Sequence, residues 1–261
     1  MDQMKVNAIL SALEAQGIPQ IIISDPVVIF YLTGAKIQPG ERLLALYLNR
    51  QGGHKLLVND LFRQTRDLGV EICYYNDIQD GVEILSSFAD PNAPIAIDKN
   101  WPARFLLRLQ ELGCGSRYVN SSDIVDGVRR MKTPEEREKM RRASRGNDAV
   151  MAKLVKLLSE DHTELELKEL LLKVYQSEGF QNFSFEPITA FAGNAADPHH
   201  RPDNSRGHYG DGVVLDIGGL MDDYCSDMTR TVFLGEVSDR QREIYEIVKE
   251  ANLRGIAAAK P

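Results

Sequence analysis

Gly212-Val213-Val214-Leu215-Asp216-Ile217-Gly218 and, eleven residues beyond its carboxylate, Ser226-Asp227-Met228-Thr229-Arg230-Thr231 are two β-prone runs, each carrying an acid. Between them, Gly218-Gly219 and Asp222-Asp223 supply turn residues, so the pattern predicts two antiparallel strands, 212–217 and 224–233. A symmetric hairpin centred between Met221 and Asp222 sets Asp216 directly opposite Asp227. Opposed residues have Cβ atoms about 4.5 to 5.5 Å apart, and like charges there destabilise unless something neutralises them. Divalent cations do so, and two-metal hydrolytic sites hold their ions about 3.5 to 4 Å apart. The competing reading is structural, since acids are common at strand ends and in turns. Asp222 and Asp223 read as turn residues; for Asp216 and Asp227 the spacing alone leaves both readings open.

Working outward, Asn194-Ala195-Ala196-Asp197-Pro198-His199-His200-Arg201-Pro202 is a loop holding two of the five histidines. Paired histidines in a proline-bounded loop serve as ligands, as acid or base groups, or as exposed loop residues. His54, His162 and His208 have no evident partner and read as surface or turn residues. Cys225 reads as a small packed hydrophobe. A strand is predicted at 187–191. Helix starts are marked by Thr133-Pro134-Glu135-Glu136, Thr163-Glu164-Leu165-Glu166 and Ser238-Asp239-Arg240-Gln241, each with a capping hydroxyl and a Glu or Gln three residues on. The charges following Thr133 are of both signs, which marks a solvated helix face rather than a basic patch.

Upstream, 1–125 alternates helical and strand-like patterns. Residues 4–16 form an amphipathic repeat closed by Gly17, followed by the apolar run Gln20-Ile21-Ile22-Ile23. Further strands are predicted at 43–48, 54–58, 70–75, 94–97 and 117–119, which implies an α/β domain with a mixed sheet. Residues 126–133 read as a linker and 134–261 as a second domain. A length of 261 residues suits two domains. The net charge of −7 argues against a nucleic-acid partner. The apolar runs are too short for a bilayer core of about 30 Å, and the start lacks the pattern of a secretion signal. Three separated cysteines indicate no disulfide framework, so a cytoplasmic protein is expected.

In combination these residues resemble the creatinase, prolidase and Xaa-Pro aminopeptidase family of pita-bread metallopeptidases. The resemblance rests on Tyr31-Leu32-Thr33-Gly34, on Met131-Lys132-Thr133-Pro134-Glu135-Glu136, on the Asn194 to His199 loop, on Gly210-Asp211, and on the two strands around Asp216 and Asp227. It implies a creatinase-type N-terminal α/β domain followed by a pita-bread domain, an α/β and α+β combination. It further implies that Asp216 and Asp227 ligate metal, with Asp227 bridging two divalent ions, Mn²⁺ foremost and Co²⁺ or Zn²⁺ as alternatives. His199, twelve residues before Asp211, is the implied catalytic and substrate-contacting histidine, with His200 the lesser candidate for substrate contact. The implied reaction releases the N-terminal residue of an Xaa-Pro dipeptide or peptide, and family members often form dimers. The family's remaining ligands, a histidine and two glutamates, have no counterpart in motif context after Asp227. The resemblance thus implies an incomplete pita-bread domain, inactive alone. The alternatives are a non-catalytic peptide- or protein-binding module and a creatinase-like amidinohydrolase.

Overall fold

The computed structural model describes residues 1–159 and 161–260 and divides into two compact units, Met1–Met131 and Lys132–Pro261. In the first unit the elements run α1 (Gln3–Glu14), β1 (Gln20–Ile23), α2 (Pro26–Thr33), β2 (Ala45–Asn49), β3 (Lys55–Asn59) and β4 (Glu71–Tyr75). They continue as α3 (Gly81–Ser86), β5 (Pro94–Ile97), α4 (Ala103–Glu111), β6 (Arg117–Asn120) and α5 (Ser122–Arg130). The six strands form one sheet in the order β4-β3-β2-β1-β5-β6. β1 runs antiparallel to β2 and parallel to β5, so the sheet is mixed as expected. All four residues of β1 are buried, as a strand covered on both faces requires. Val6, Ile9, Leu10 and Leu13 recur at helical spacing on α1 and enter the same core.

Two expectations need correction here. Residues 122–130, expected to run from the end of the first domain into a linker, form α5. Its Val125 is buried, with Ile124 and Val128 packed beside it in the first core, because these apolar side chains share one helix face. His54 is not without a partner: its Nδ1 accepts from the Asn49 N–H at 3.3 Å, and burial lowers its pKa.

The second unit comprises α6 (Pro134–Leu157), α7 (Glu164–Ser177), β7 (Asn182–Phe183), β8 (Ile188–Phe191) and β9 (Gly212–Ile217). After these come β10 (Gly219–Met221), β11 (Tyr224–Cys225), β12 (Met228–Phe233) and α8 (Asp239–Ala258). Complete capping boxes open α6, α7 and α8 at Thr133, Thr163 and Ser238, as the sequence predicts. The strands make two three-stranded sheets, β12-β9-β8 and β11-β10-β7. On β9 the side chains alternate. Val213, Leu215 and Ile217 are fully buried against Val150, Leu154, Leu167, Leu171 and Tyr175 of α6 and α7, and Asp216 lies on the opposite face.

Candidate active site

The hairpin carrying the two acids has a different register from the symmetric one expected. Asp216 pairs with Thr229, Leu220 with Cys225 and Met221 with Tyr224, so the centre falls between Asp222 and Asp223. Both turn residues have positive φ, 51° and 66°, which is the requirement of a type I′ hairpin turn. The correction is a two-residue slip in pairing. The ladder begins with Met228 opposite Ile217, so Asp227 directly precedes it and is itself in no strand. The two carboxylates are not directly opposed: Asp216 faces Thr229, and Asp227 lies one residue before the first pair of the ladder.

The expected strand 224–233 is also interrupted. Ser226 and Asp227 fall between β11 and β12, where the hairpin passes from one sheet to the other. Ser226 fixes this crossing: its hydroxyl accepts from the Gly219 N–H at 3.0 Å and donates to the Gly219 carbonyl at 3.1 Å. Its own carbonyl accepts from the Ser184 hydroxyl at 2.9 Å. Gly218 and Gly219 are glycines for lack of space. A Cβ on Gly218 would meet the Ser226 oxygen at 2.2 Å, and one on Gly219 would meet the Phe180 and Tyr175 rings at 2.4 Å.

Asp216 is half-buried in the central strand between Ile188 and Thr229, and its Oδ1 accepts from the Thr229 hydroxyl at 2.7 Å. Asp227 is exposed. From the core side, the Tyr175 hydroxyl donates to Asn147 Oδ1, and Asn147 Nδ2 donates to the Ile217 carbonyl at 3.3 Å. Burial, and after it the charge of Asp227, hold the Tyr175 phenol far above its usual range, so it stays an O–H donor. A buried polar chain thus ties α6 and α7 to the residue beside Asp216.

The histidine loop has a separate anchor that sequence reasoning missed. Among the described residues, Glu164, His200 and Asp203 form a cluster whose potential ligand atoms lie within 4.8 Å of one another. Glu164 is fully buried and its carboxylate takes four partners. Oε1 accepts from the Phe191 N–H at 2.9 Å and Asn194 Nδ2 at 3.0 Å. Oε2 accepts from the Asp203 N–H at 3.0 Å and lies 2.6 Å from His200 Nε2, which is the donor because a carboxylate only accepts. Four partners saturate the roughly four acceptor positions of a carboxylate, leaving none for a cation. The Asp203 carboxylate is held below its usual range, first by the Ser205 hydroxyl and next by the Ser205 N–H. This cluster is a loop anchor. His200 is turned into it with its side chain 13% exposed, whereas His199 is exposed and, among the described residues, only its backbone N–H is engaged, by Asp197 Oδ1 at 2.8 Å. The missed signal is Glu164 at the first helical position of the Thr163 box, where its short distance to Thr163 hid a longer-range role.

The chain combines an α/β first unit with a second unit in which two helices pack on small antiparallel sheets. Residues 5–131 match the creatinase/prolidase N-terminal domain, and residues 138–261 match metallopeptidase family M24. A dipeptidase from Pyrococcus horikoshii OT3 superposes with a TM-score of 0.86 at 30% identity, covering 95% of this chain and 70% of that one. A prolidase from Thermococcus sibiricus gives 0.89 at 26% identity, covering 96% and 71%. An uncharacterized peptidase of Staphylococcus aureus is 29% identical over 265 residues, 98% of this chain and 74% of that protein. The chain belongs to metallopeptidase family M24, with the pita-bread architecture of the prolidases it matches.

Proposed function

We propose that this protein is a metal-dependent peptidase that removes the N-terminal residue from Xaa-Pro dipeptides or peptides. The observation that supports the reading is Asp216 half-buried in the central strand and oriented by the Thr229 hydroxyl, with Asp227 exposed one residue before the adjoining ladder. Likeness to a prolidase over 96% of the chain supports the Xaa-Pro preference. The donor set fits a hard or borderline divalent ion, for which carboxylate oxygens are suitable ligands. Asp216 and Asp227 would hold the metal pair, Mn²⁺ foremost, and when bound such ions supply Lewis-acid polarisation and lower the pKa of water. His199 is free to face substrate and to stabilise charge that develops on the scissile carbonyl oxygen, while His200 is committed to Glu164. Among the described residues no helix is long and apolar enough to cross a membrane.

Two carboxylates are fewer donors than such ions usually draw on, so the assay uses the full product of the gene that encodes this chain. Ala-Pro and Ala-Ala are compared with and without excess Mn²⁺. Mn²⁺-dependent cleavage of Ala-Pro, lost on Asp227→Ala, is the expected result. Cleavage that survives Asp227→Ala overturns the metal assignment, and tight peptide binding without cleavage moves the protein to the binding-module reading.

A further inference from the structure

The loop that carries His199 is docked on the N-terminus of α7, and the docking is built around one carboxylate. The first N–H groups of a helix lack intrahelical acceptors. Here the Glu164 N–H donates to the Ser205 carbonyl at 3.1 Å and the Leu165 N–H to the Asp203 carbonyl at 3.1 Å. Glu164 then reaches both ends of the loop with its side chain. Oε1 holds its beginning at Phe191 and Asn194, and Oε2 holds its end at His200 and Asp203. A second tie links the ends directly, since Asn194 Nδ2 also donates to the Ser205 hydroxyl at 3.2 Å. Between these anchors lie Asp197, Pro198 and His199. The Thr189 hydroxyl donates to the Glu164 carbonyl at 3.0 Å, so β8, which pairs with the Asp216 strand, is tied to the same residue.

We propose that Glu164 is a positioning residue: through its four hydrogen bonds it fixes His199 relative to the strand bearing Asp216, with His200 as its latch. Full burial of a carboxylate is costly unless it is saturated with donors, and here saturation is achieved only with the loop closed. The carboxylate therefore couples the closed loop to the folded state, and the two ends of the loop to each other. The catalytic part of this inference rests on the proposed peptidase function, but the loop-fixing part does not.

The test uses Glu164→Gln, His200→Ala and the double variant. A glutamine amide has one oxygen where the carboxylate has two. Whichever way it turns, one of the two backbone donors, the Phe191 or the Asp203 N–H, loses its acceptor, whereas His200 can change tautomer and Asn194 can turn its amide. Amide hydrogen exchange at Phe191 or Asp203 should quicken at least about 10-fold in Glu164→Gln, with exchange in β1 of the first unit unchanged. In an active protein, kcat on Ala-Pro should fall about 10-fold or more while KM moves less than about 3-fold, the mark of a group acting through orientation. The double variant should be no slower than Glu164→Gln, because residues in one network are not additive. Unchanged exchange at both amides overturns the proposal whether or not the protein is a peptidase. Wild-type kcat with quickened exchange, or fully additive losses, overturns the catalytic part alone. Absence of any hydrolysis by the unmodified protein overturns the proposed function and leaves the exchange comparison to decide the role of Glu164.

Discussion

Gly218→Ala should destabilise the second unit without touching the first. Gly218 is outside the left-handed region of backbone conformation, so the penalty comes from space alone. The new methyl group would lie 2.2 Å from the Ser226 carbonyl oxygen, 2.3 Å from Ser184 Oγ and 2.5 Å from Phe185 Cε1. Two of these atoms are bonded to each other across the sheet crossing at 2.9 Å, so neither yields without breaking that bond. Overpacking of this kind costs about 1 to 3 kcal/mol. Loss of the Ser184 to Ser226 hydrogen bond adds about 0.5 to 1.5 kcal/mol. The smaller conformational freedom of unfolded alanine returns about 0.4 to 1 kcal/mol. The net loss is centred on about 2 kcal/mol, which at a urea m-value of about 2 kcal/mol/M lowers the midpoint by about 1 M. Far-UV circular dichroism of urea unfolding should show an earlier transition for the second unit. Trp101, the sole tryptophan, reports the first unit and should give an unshifted one. Gly193→Ala is the control, since nothing lies within 4 Å of the place its methyl group would take, and it should leave the midpoint unchanged or slightly raised. A Gly218→Ala midpoint equal to wild type would refute the steric argument, as would an equal fall in Gly193→Ala.

Tyr175→Phe should lower the stability of the second unit by about 1 to 3 kcal/mol, because it leaves the fully buried Asn147 Oδ1 without its donor; urea unfolding measures it. In the first unit, Arg42 and next Asn59 hold the Asp77 carboxyl at about 2. A depressed carboxylate stabilises the fold above its unfolded pKa, near about 4, and that contribution is lost as pH falls toward about 2. Asp77→Asn should therefore flatten the fall in the tryptophan-monitored Tm over that window, and an unaltered pH slope would contradict it. In the full-length protein, His199→Ala should lower kcat about 100-fold or more. His200→Ala should lower it less, and equal losses in the two variants would show that the histidine roles are misassigned.

The fold was largely legible in the sequence because its signals are local. Three hydroxyl caps with their reciprocal Glu or Gln open helices where expected, and the alternating Val213, Leu215 and Ile217 mark a half-buried strand. The hairpin that carries Asp216 was legible, but its register was not. Asp222-Asp223 tolerates the left-handed conformation that a type I′ turn needs at both central positions, and centring the hairpin there gives the observed pairing. The break between β11 and β12 was beyond a local reading, since it depends on Ser184 and Gly219 meeting Ser226 across the sheets. The linker was misread because the Ile124, Val125 and Val128 stripe of α5 is short and follows a strand without a side-chain cap. The Glu164 anchor was hidden for a related reason: its partners are 27 to 39 residues away in the chain.

The proposed cation site is Asp216 and Asp227 and not the Glu164, His200 and Asp203 cluster. Calorimetric titration of Mn²⁺ into the full-length protein decides between the two, with Asp227→Asn and Asp203→Asn measured side by side. Binding should be lost or weakened at least about 10-fold in Asp227→Asn and unchanged in Asp203→Asn. Binding retained in Asp227→Asn and lost in Asp203→Asn would place the metal in the loop anchor and overturn the assignment.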